Sequence, residues 1–342
     1  MKTVTAKPDS WLHQQNEAVV EPERRIIDPH HHLWRKRFGQ DYLLPELWRD
    51  TDSGHCIEQT VFIECHAFYD KGATPERRSL GETTVIADLV RSSHDSGNTP
   101  VGGMVINVDL RLGNDREQLL DLIHAHQEIA GQWIKGVRFA SAHDPTPDNL
   151  VIQLQADPDL YHQPGFQKGV RLLGELGLTY DTWHYHHQMA DFISLARAVP
   201  DTILVLDHFG TPLGIGAYRS QRQQIFHRWQ QDIAKLAEYD NVYLKLGGLA
   251  MPDNGFDWHH QDAPADASQL IREQGKYYLH AIECFGPQRC MFESNFPVDR
   301  LSISYRSLWN GYKRLVADFS NADKDALFYG TAANVYRLSA ID

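Results

Sequence analysis

The sequence predicts an α/β fold, a (β/α)8 TIM barrel of parallel strands with extended loops at its C-terminal face. Three observations predict it. Eight apolar, β-branched-rich runs each end in Gly, Pro, His or Asp, which is strand punctuation. Helical patterns separate most of these runs. Polar residues collect at the C-terminal ends of the runs, the face on which barrels build their sites.

A polar leader occupies residues 1–24, and residues 25–342 read as one barrel domain, with no internal repeat, low-complexity tract or dividing linker. The expected strands are 25–32, 59–67, 100–108, 133–141, 177–185, 202–210, 241–249 and 289–297. Strands so continuously apolar are buried on both faces, as parallel strands under helices are. Helical faces fall at 82–93, 114–130, 166–177, 187–198, 268–285 and 305–318. Another lies in 224–239, where Ile225, Trp229, Ile233 and Leu236 recur at three and four residues and share one face. A doubly wound open sheet fits the same alternation. The polar run ends at His32, Glu64, Arg138, His184, His208 and Asn295 favour the barrel. Three long connections, 142–162, 211–222 and 250–268, are expected to cover that face as lids or binding loops.

The 342 residues are 42% hydrophobic, enough for a sizeable core. A net charge of −12 without a basic block argues against nucleic acid as a partner, leaving a small-molecule substrate. No apolar run approaches the roughly 18 residues of a membrane span, and the N-terminus lacks the apolar core of a signal peptide. A cytoplasmic location and no membrane partner are therefore expected. Four cysteines, Cys56, Cys65, Cys284 and Cys290, are too dispersed for a metal knuckle and read as reduced.

The chemistry concentrates in the nineteen histidines, eight of which are grouped at 30–32, 184–187 and 259–260. In an extended strand residues two apart share a side, so His30 and His32 project together and His31 does not. Alone, this HxH is a weak signal. His184 and His208, at two further strand ends, turn it into a candidate centre for one divalent ion, with zinc first and manganese second, or for a metal-independent reaction. Arg138 and Lys245 are cations inside apolar strands and need a partner, either an internal acid or a substrate anion. Trp34, Phe68, Tyr69, Trp183 and Trp258 flank the site as candidate walls for a ring-shaped ligand. His259 and His260 lie on a loop, as a lid element or an exposed pair.

The motifs "DPHHHLW", "GVRF", "VLDHFGTP", "YLKLGGL" and "MFESNFPVD" resemble the amidohydrolase superfamily. Within it they are most similar to the amidohydrolase-2 branch of sugar-lactone and pyrone-dicarboxylate lactonases. The resemblance runs from about residue 25 to the end. It implies that His30, His32, His184 and His208 surround the reacting centre and hold its metal. It also exposes a departure, since Asn295 stands where much of the family has Asp. A carboxamide cannot take a proton from water. Glu64 is the first candidate for the missing carboxylate, with Asp299, Glu293 and Asp207 as others. The implied function is a hydrolase that opens a lactone or similar cyclic ester of a small carboxylated or polyhydroxylated compound. The alternatives are a non-oxidative decarboxylase of an aromatic or unsaturated acid, which tolerates Asn295 better, and a non-catalytic ligand-binding barrel. By analogy with such barrels, which are often symmetric assemblies, a homo-oligomer is one expectation.

Overall fold

The computed structural model describes residues 4–153 and 155–340. Eight parallel strands pair in chain order: β1 (Arg25–His31), β2 (Cys56–Ile63), β3 (Val101–Ile106), β4 (Ile134–Arg138), β5 (Thr179–Thr182), β6 (Leu204–Leu206), β7 (Val242–Leu246) and β8 (Cys290–Phe292). The ring closes at the β8–β1 seam through the segment after β8. There the Asn295 amide donates to the His30 carbonyl (3.0 Å) and the His32 amide donates to the Phe296 carbonyl (2.8 Å). The seam therefore carries both the HxH pair and Asn295, and it locks their backbones together.

A helix follows each strand: α1 (Leu44–Thr51), α2 (Ser79–His94), α3 (Arg116–Ala130), α4 (Pro164–Glu175), α5 (Met189–Ala198), α6 (Arg222–Leu236), α7 (Ala267–Phe285) and α8 (Tyr305–Leu315). Their ends follow local chemistry. Asp115, Asp266 and Ser304 cap α3, α7 and α8 by accepting backbone N–H bonds. The expected α6 face is the buried one, with Ile225, Trp229, Ile233 and Leu236 turned inward. Among the described residues no helix is long and apolar enough to cross a membrane.

The main core lies between strands and helices. A second cluster fills the lower barrel, where Ile27, Val61, Val105, Val205 and Met291 meet Ala332, Val335 and Tyr336 from the C-terminal segment. That plug, the helix α1 and a small hairpin of Trp34–Arg37 with Gln40–Tyr42 were not in the sequence pattern. All are short, and the hairpin is too charged to read as a strand pair. The leader is less purely polar than expected, for Trp11 and Leu12 are buried and the Val20 amide donates to Asn310 (2.8 Å).

Candidate active site

At the seam, β1 brings His30 and His32 to one side with their Nε2 atoms 3.3 Å apart. His31 faces away, 3.0 Å from the Thr60 hydroxyl. Each ring is held from behind. Glu293 grips two of them, with Oε2 2.7 Å from His30 Nδ1 and Oε1 2.6 Å from His208 Nδ1. His32 Nδ1 lies 2.8 Å from the Ile63 carbonyl. Carboxylate and carbonyl oxygens only accept, so Nδ1 of His32 and of His208 carries the proton and their Nε2 atoms present lone pairs, while His30 Nδ1 faces both the Glu293 carboxylate and the Lys245 ammonium (3.3 Å).

Local backbone makes this arrangement fit. His208 and Asn295 adopt left-handed conformations, φ 53° and 54°, which aim their side chains away from the ordinary strand direction. Gly248 is required beside them, because a Cβ there would stand 2.2 Å from His208 Nδ1. This accounts for the "LGGL" sequence after β7.

Beneath the imidazoles lies a buried charge network. Lys245 Nζ is 2.9 Å from Asp181 Oδ2 and 3.0 Å from Asp207 Oδ1. Tyr336, from the C-terminal plug, donates to the same Asp181 oxygen (2.5 Å). Arg138 donates through Nε to Glu64 Oε1 (2.8 Å), bonds the Glu64 carbonyl, and stands 3.4 Å from Asp207 Oδ2. Of the two partners the sequence left open for these cations, an internal acid or a substrate anion, the structure supplies the internal acid. Lys245 is sealed within the barrel, and the Arg138 guanidinium, although it borders the cavity, is committed to Glu64 and Asp207. A cation in an apolar strand is costly without such partners.

A cavity of about 370 Å³ opens above the network. His32, His208, Glu64, Arg138 and Asn295 form its polar floor, and Trp34, Trp183, Val151, Ile152 and Met251 its apolar wall. Two of the long connections thus supply wall residues, and Ile215 and Arg219 of the third line an outer recess with His259 and His260. Asn295 Nδ2 donates to Asp299 Oδ1 (2.9 Å), and burial pushes the Asp299 carboxyl up to about 7. Asp299 lies behind Asn295 and outside the cavity lining, as does Tyr69, whose ring packs near His66.

His184 is the clearest correction. Alternation along the segment after β5 turns Trp183 to the cavity and His184 to the helix layer. There Nδ1 is 2.8 Å from the Tyr161 hydroxyl, and the ring packs on Phe192 of α5. Burial pushes its pKa down to about 3. The fourth imidazole does not join the other three. The residue that does is Glu293, whose spacing from Asn295 was the only hint in the sequence.

The donor set fits a divalent cation. With the His30 proton on Nδ1 toward Glu293, two Nε2 lone pairs face each other at 3.3 Å and repel unless a proton or a cation lies between them. Burial, and for His32 the neighbouring His30 and Arg138 charges, lowers both histidine pKa values and disfavours the proton. The spacing is also that of two nitrogens on one tetrahedral zinc, about 3.3 Å for Zn–N bonds of about 2.05 Å. Two buried cations, Arg138 and Lys245, face four buried carboxylates, Glu64, Asp181, Asp207 and Glu293, and His66 stands 3.3 Å from Glu64, so with neutral imidazoles at His30, His32 and His208 the floor keeps a net negative charge. His30, Asp207 and His208 also bring potential ligand atoms within 4.8 Å of one another, but Asp207 is taken by Lys245 and Arg138, which leaves the Nε2 pair of His30 and His32 as the donor set.

The amidohydrolase family model matches residues 27–338, from β1 through the C-terminal plug. The chain belongs to the amidohydrolase family. Over 330 residues this amidohydrolase is 30% identical to protein y4mH of Sinorhizobium fredii, covering 92% of this chain and 98% of that protein. It is 30% identical over 326 residues to an L-fucono-1,5-lactonase of Burkholderia multivorans, covering 91% and 96% respectively. An amidohydrolase of Burkholderia multivorans solved with bound zinc has the same fold, with a TM-score of 0.70 at 25% identity over 92% of this chain and 99% of that one.

Proposed function

We propose that this amidohydrolase opens a lactone of a small polyhydroxylated or carboxylated acid by adding water. The observation that carries this reading is the Glu293 carboxylate, whose two oxygens stand 2.7 Å from Nδ1 of His30 and 2.6 Å from Nδ1 of His208. One carboxylate thereby sets two imidazoles for separate tasks. The likeness to an L-fucono-1,5-lactonase at 30% identity supports the substrate class.

His30 and His32 are the residues that would hold the ion, through Nε2. When bound, a divalent ion supplies Lewis-acid polarisation of the ester carbonyl. His208 Nε2 faces the cavity as a general base, backed by Glu293 as a triad imidazole is backed by its acid. It takes a proton from water as the water oxygen bonds the carbonyl carbon. It returns that proton to the ring oxygen as the acyl C–O bond breaks, giving the hydroxy acid. Asn295, tied to Asp299 through its amide nitrogen, offers a carbonyl oxygen that accepts a hydrogen bond but no proton. Glu64 is held by Arg138, and its pKa is lowered although burial opposes this, because the His66 and Arg138 charges outweigh burial. We therefore place the base at His208 rather than Glu64. Decarboxylation has no need of such a base, and a ligand-binding scaffold has no need of buried, uncompensated charge.

The test is His208→Gln assayed on a panel of sugar-acid lactones, with metal content measured on the same samples. Turnover falls about 10²- to 10⁴-fold, while zinc or manganese stays at the wild-type level. Wild-type turnover in the variant removes the base assignment. A zinc- or manganese-loaded wild-type enzyme that opens no lactone removes the reaction.

A further inference from the structure

The cavity wall contains one more cation, and it is treated unlike those at the floor. Arg37 sits at the end of the first hairpin strand, three residues after Trp34. In a regular strand the two side chains would face opposite ways. Here Trp34 pairs with Tyr42 and Arg37 with Gln40, so the strand carries one extra residue. Lys36 within the bulge has φ 53°. The bulge re-aims the side chain, and the Arg37 guanidinium comes to lie over the Trp34 ring, 5.0 Å from its centroid.

Arg37 borders the cavity, is half-buried, and donates to the Cys65 carbonyl (2.8 Å). Among the described residues no carboxylate lies within 4.0 Å of it. The contrast with Arg138 is sharp, and His66, the other basic group on this wall, stands 3.3 Å from Glu64. A guanidinium has five N–H donors in a planar fork, and among the described residues most of this fork has no acceptor. The buried Trp34 Nε1–H also lacks an acceptor among the described residues. The same indole stacks on His32, ring centroids 5.8 Å apart, and so joins the reacting floor to the hairpin. The chain as a whole is strongly acidic and does not draw anions from a distance, so selection of an anion has to be local.

We propose that Arg37 anchors a carboxylate of the substrate, which makes the substrate an anionic lactone with its acid group against the hairpin and its ester carbonyl at His32 and His208. The orientation of the ester rests on the lactonase function proposed above, whereas the carboxylate subsite does not. Arg37 is the cavity cation that has no carboxylate partner among the described residues. A carboxylate accepts two parallel bonds from its fork.

The test compares 5-oxotetrahydrofuran-2-carboxylate with its carboxamide, which has nearly the same shape and no charge. In wild-type enzyme the carboxylate is preferred in kcat/KM, chiefly through KM. In Arg37→Gln that preference falls about 10- to 100-fold, and Arg37→Lys restores part of it. Parallel loss on both compounds, or a preference that survives in Arg37→Gln, overturns the assignment. The same two compounds titrated by calorimetry separate the subsite from the chemistry. If neither lactone is opened, tighter binding of the carboxylate that disappears in Arg37→Gln supports the anchor while the lactonase function fails. Equal binding of the two, or no binding of either, overturns the anchor whether or not turnover occurs.

Discussion

Lys245 and Arg37 are cations beside one cavity, and the protein handles them in opposite ways. Lys245 is sealed at the floor between Asp181 and Asp207. Arg37 lies on the wall with a carbonyl, an indole and open space around it. The acids divide in the same way. Burial alone would raise the Glu293 pKa, but the His208 and His30 imidazoles outweigh it and pull the group down to about 2. Asp253, in the 250–268 connection, has among the described residues only the Val151 and Ile152 backbone N–H groups as side-chain partners (2.7 and 3.3 Å), and burial pushes it up to about 6. Charge at the floor is answered by charge and fixes geometry. Charge at the rim is left for a ligand or a proton to answer.

The largest effect expected from breaking this contrast comes at Lys245. Lys245→Met keeps much of the side-chain volume but strands Asp181 and Asp207, and removing one partner of a buried ion pair costs about 3–5 kcal/mol. Denaturant unfolding of the purified variant measures it, and a midpoint equal to wild type would mean that the network is not what holds the floor. Next is Glu293→Gln. A carboxamide oxygen can accept from one imidazole, but its NH2 group must face the other, so one Nδ1–H loses its acceptor. Loss of such a carboxylate behind a histidine costs about 10- to 100-fold in metal affinity or activity, to be read as kcat and metal per chain. Unchanged values in both would show that His30 and His208 are held by something else.

The sequence was legible where periodicity carries the information. All eight barrel strands and the helices from α2 to α8 fall where apolar spacing places them, because burying a strand or a helix face leaves a repeating mark. The HxH pair was legible for the same reason, since strand alternation applies directly to residues two apart. His184 was misplaced although the strand was right. One step of register separates cavity from helix layer, and it is decided by the Trp183 ring and the Tyr161 contact rather than by the strand pattern. That Arg138 and Lys245 need partners was legible, but which acids answer them was not, because the ion pairing joins β2, β4, β5, β6 and β7 across the barrel. Arg37 left no mark because a one-residue bulge reverses the facing that its spacing implies.

The smallest effect belongs to Asp253, and its sign follows from the pKa. The folded-state value of about 6 lies above the ordinary 3.8, so the folded protein holds this proton more tightly than the unfolded chain does. Stability from this group is therefore present below pH 3.8 and declines as pH rises through about 6, by at most about 3 kcal/mol over the window. Glu293 works in the other direction, its contribution being present above pH 4.5 and lost as pH falls toward 2. Asp253→Asn keeps an acceptor for the lid amides and removes the titration. At neutral pH relief of the buried charge and loss of its stronger hydrogen bonds nearly cancel, leaving a net change of about 1 kcal/mol or less. The difference in Tm between variant and wild type should consequently change between pH 4 and 6 and be flat above, while Asp28 and Asp299, raised to about 6 and about 7 by burial, cancel from that difference. A difference that does not vary with pH would place Asp253 among the answered charges of the floor, and the contrast between floor and rim would then rest on Arg37 alone.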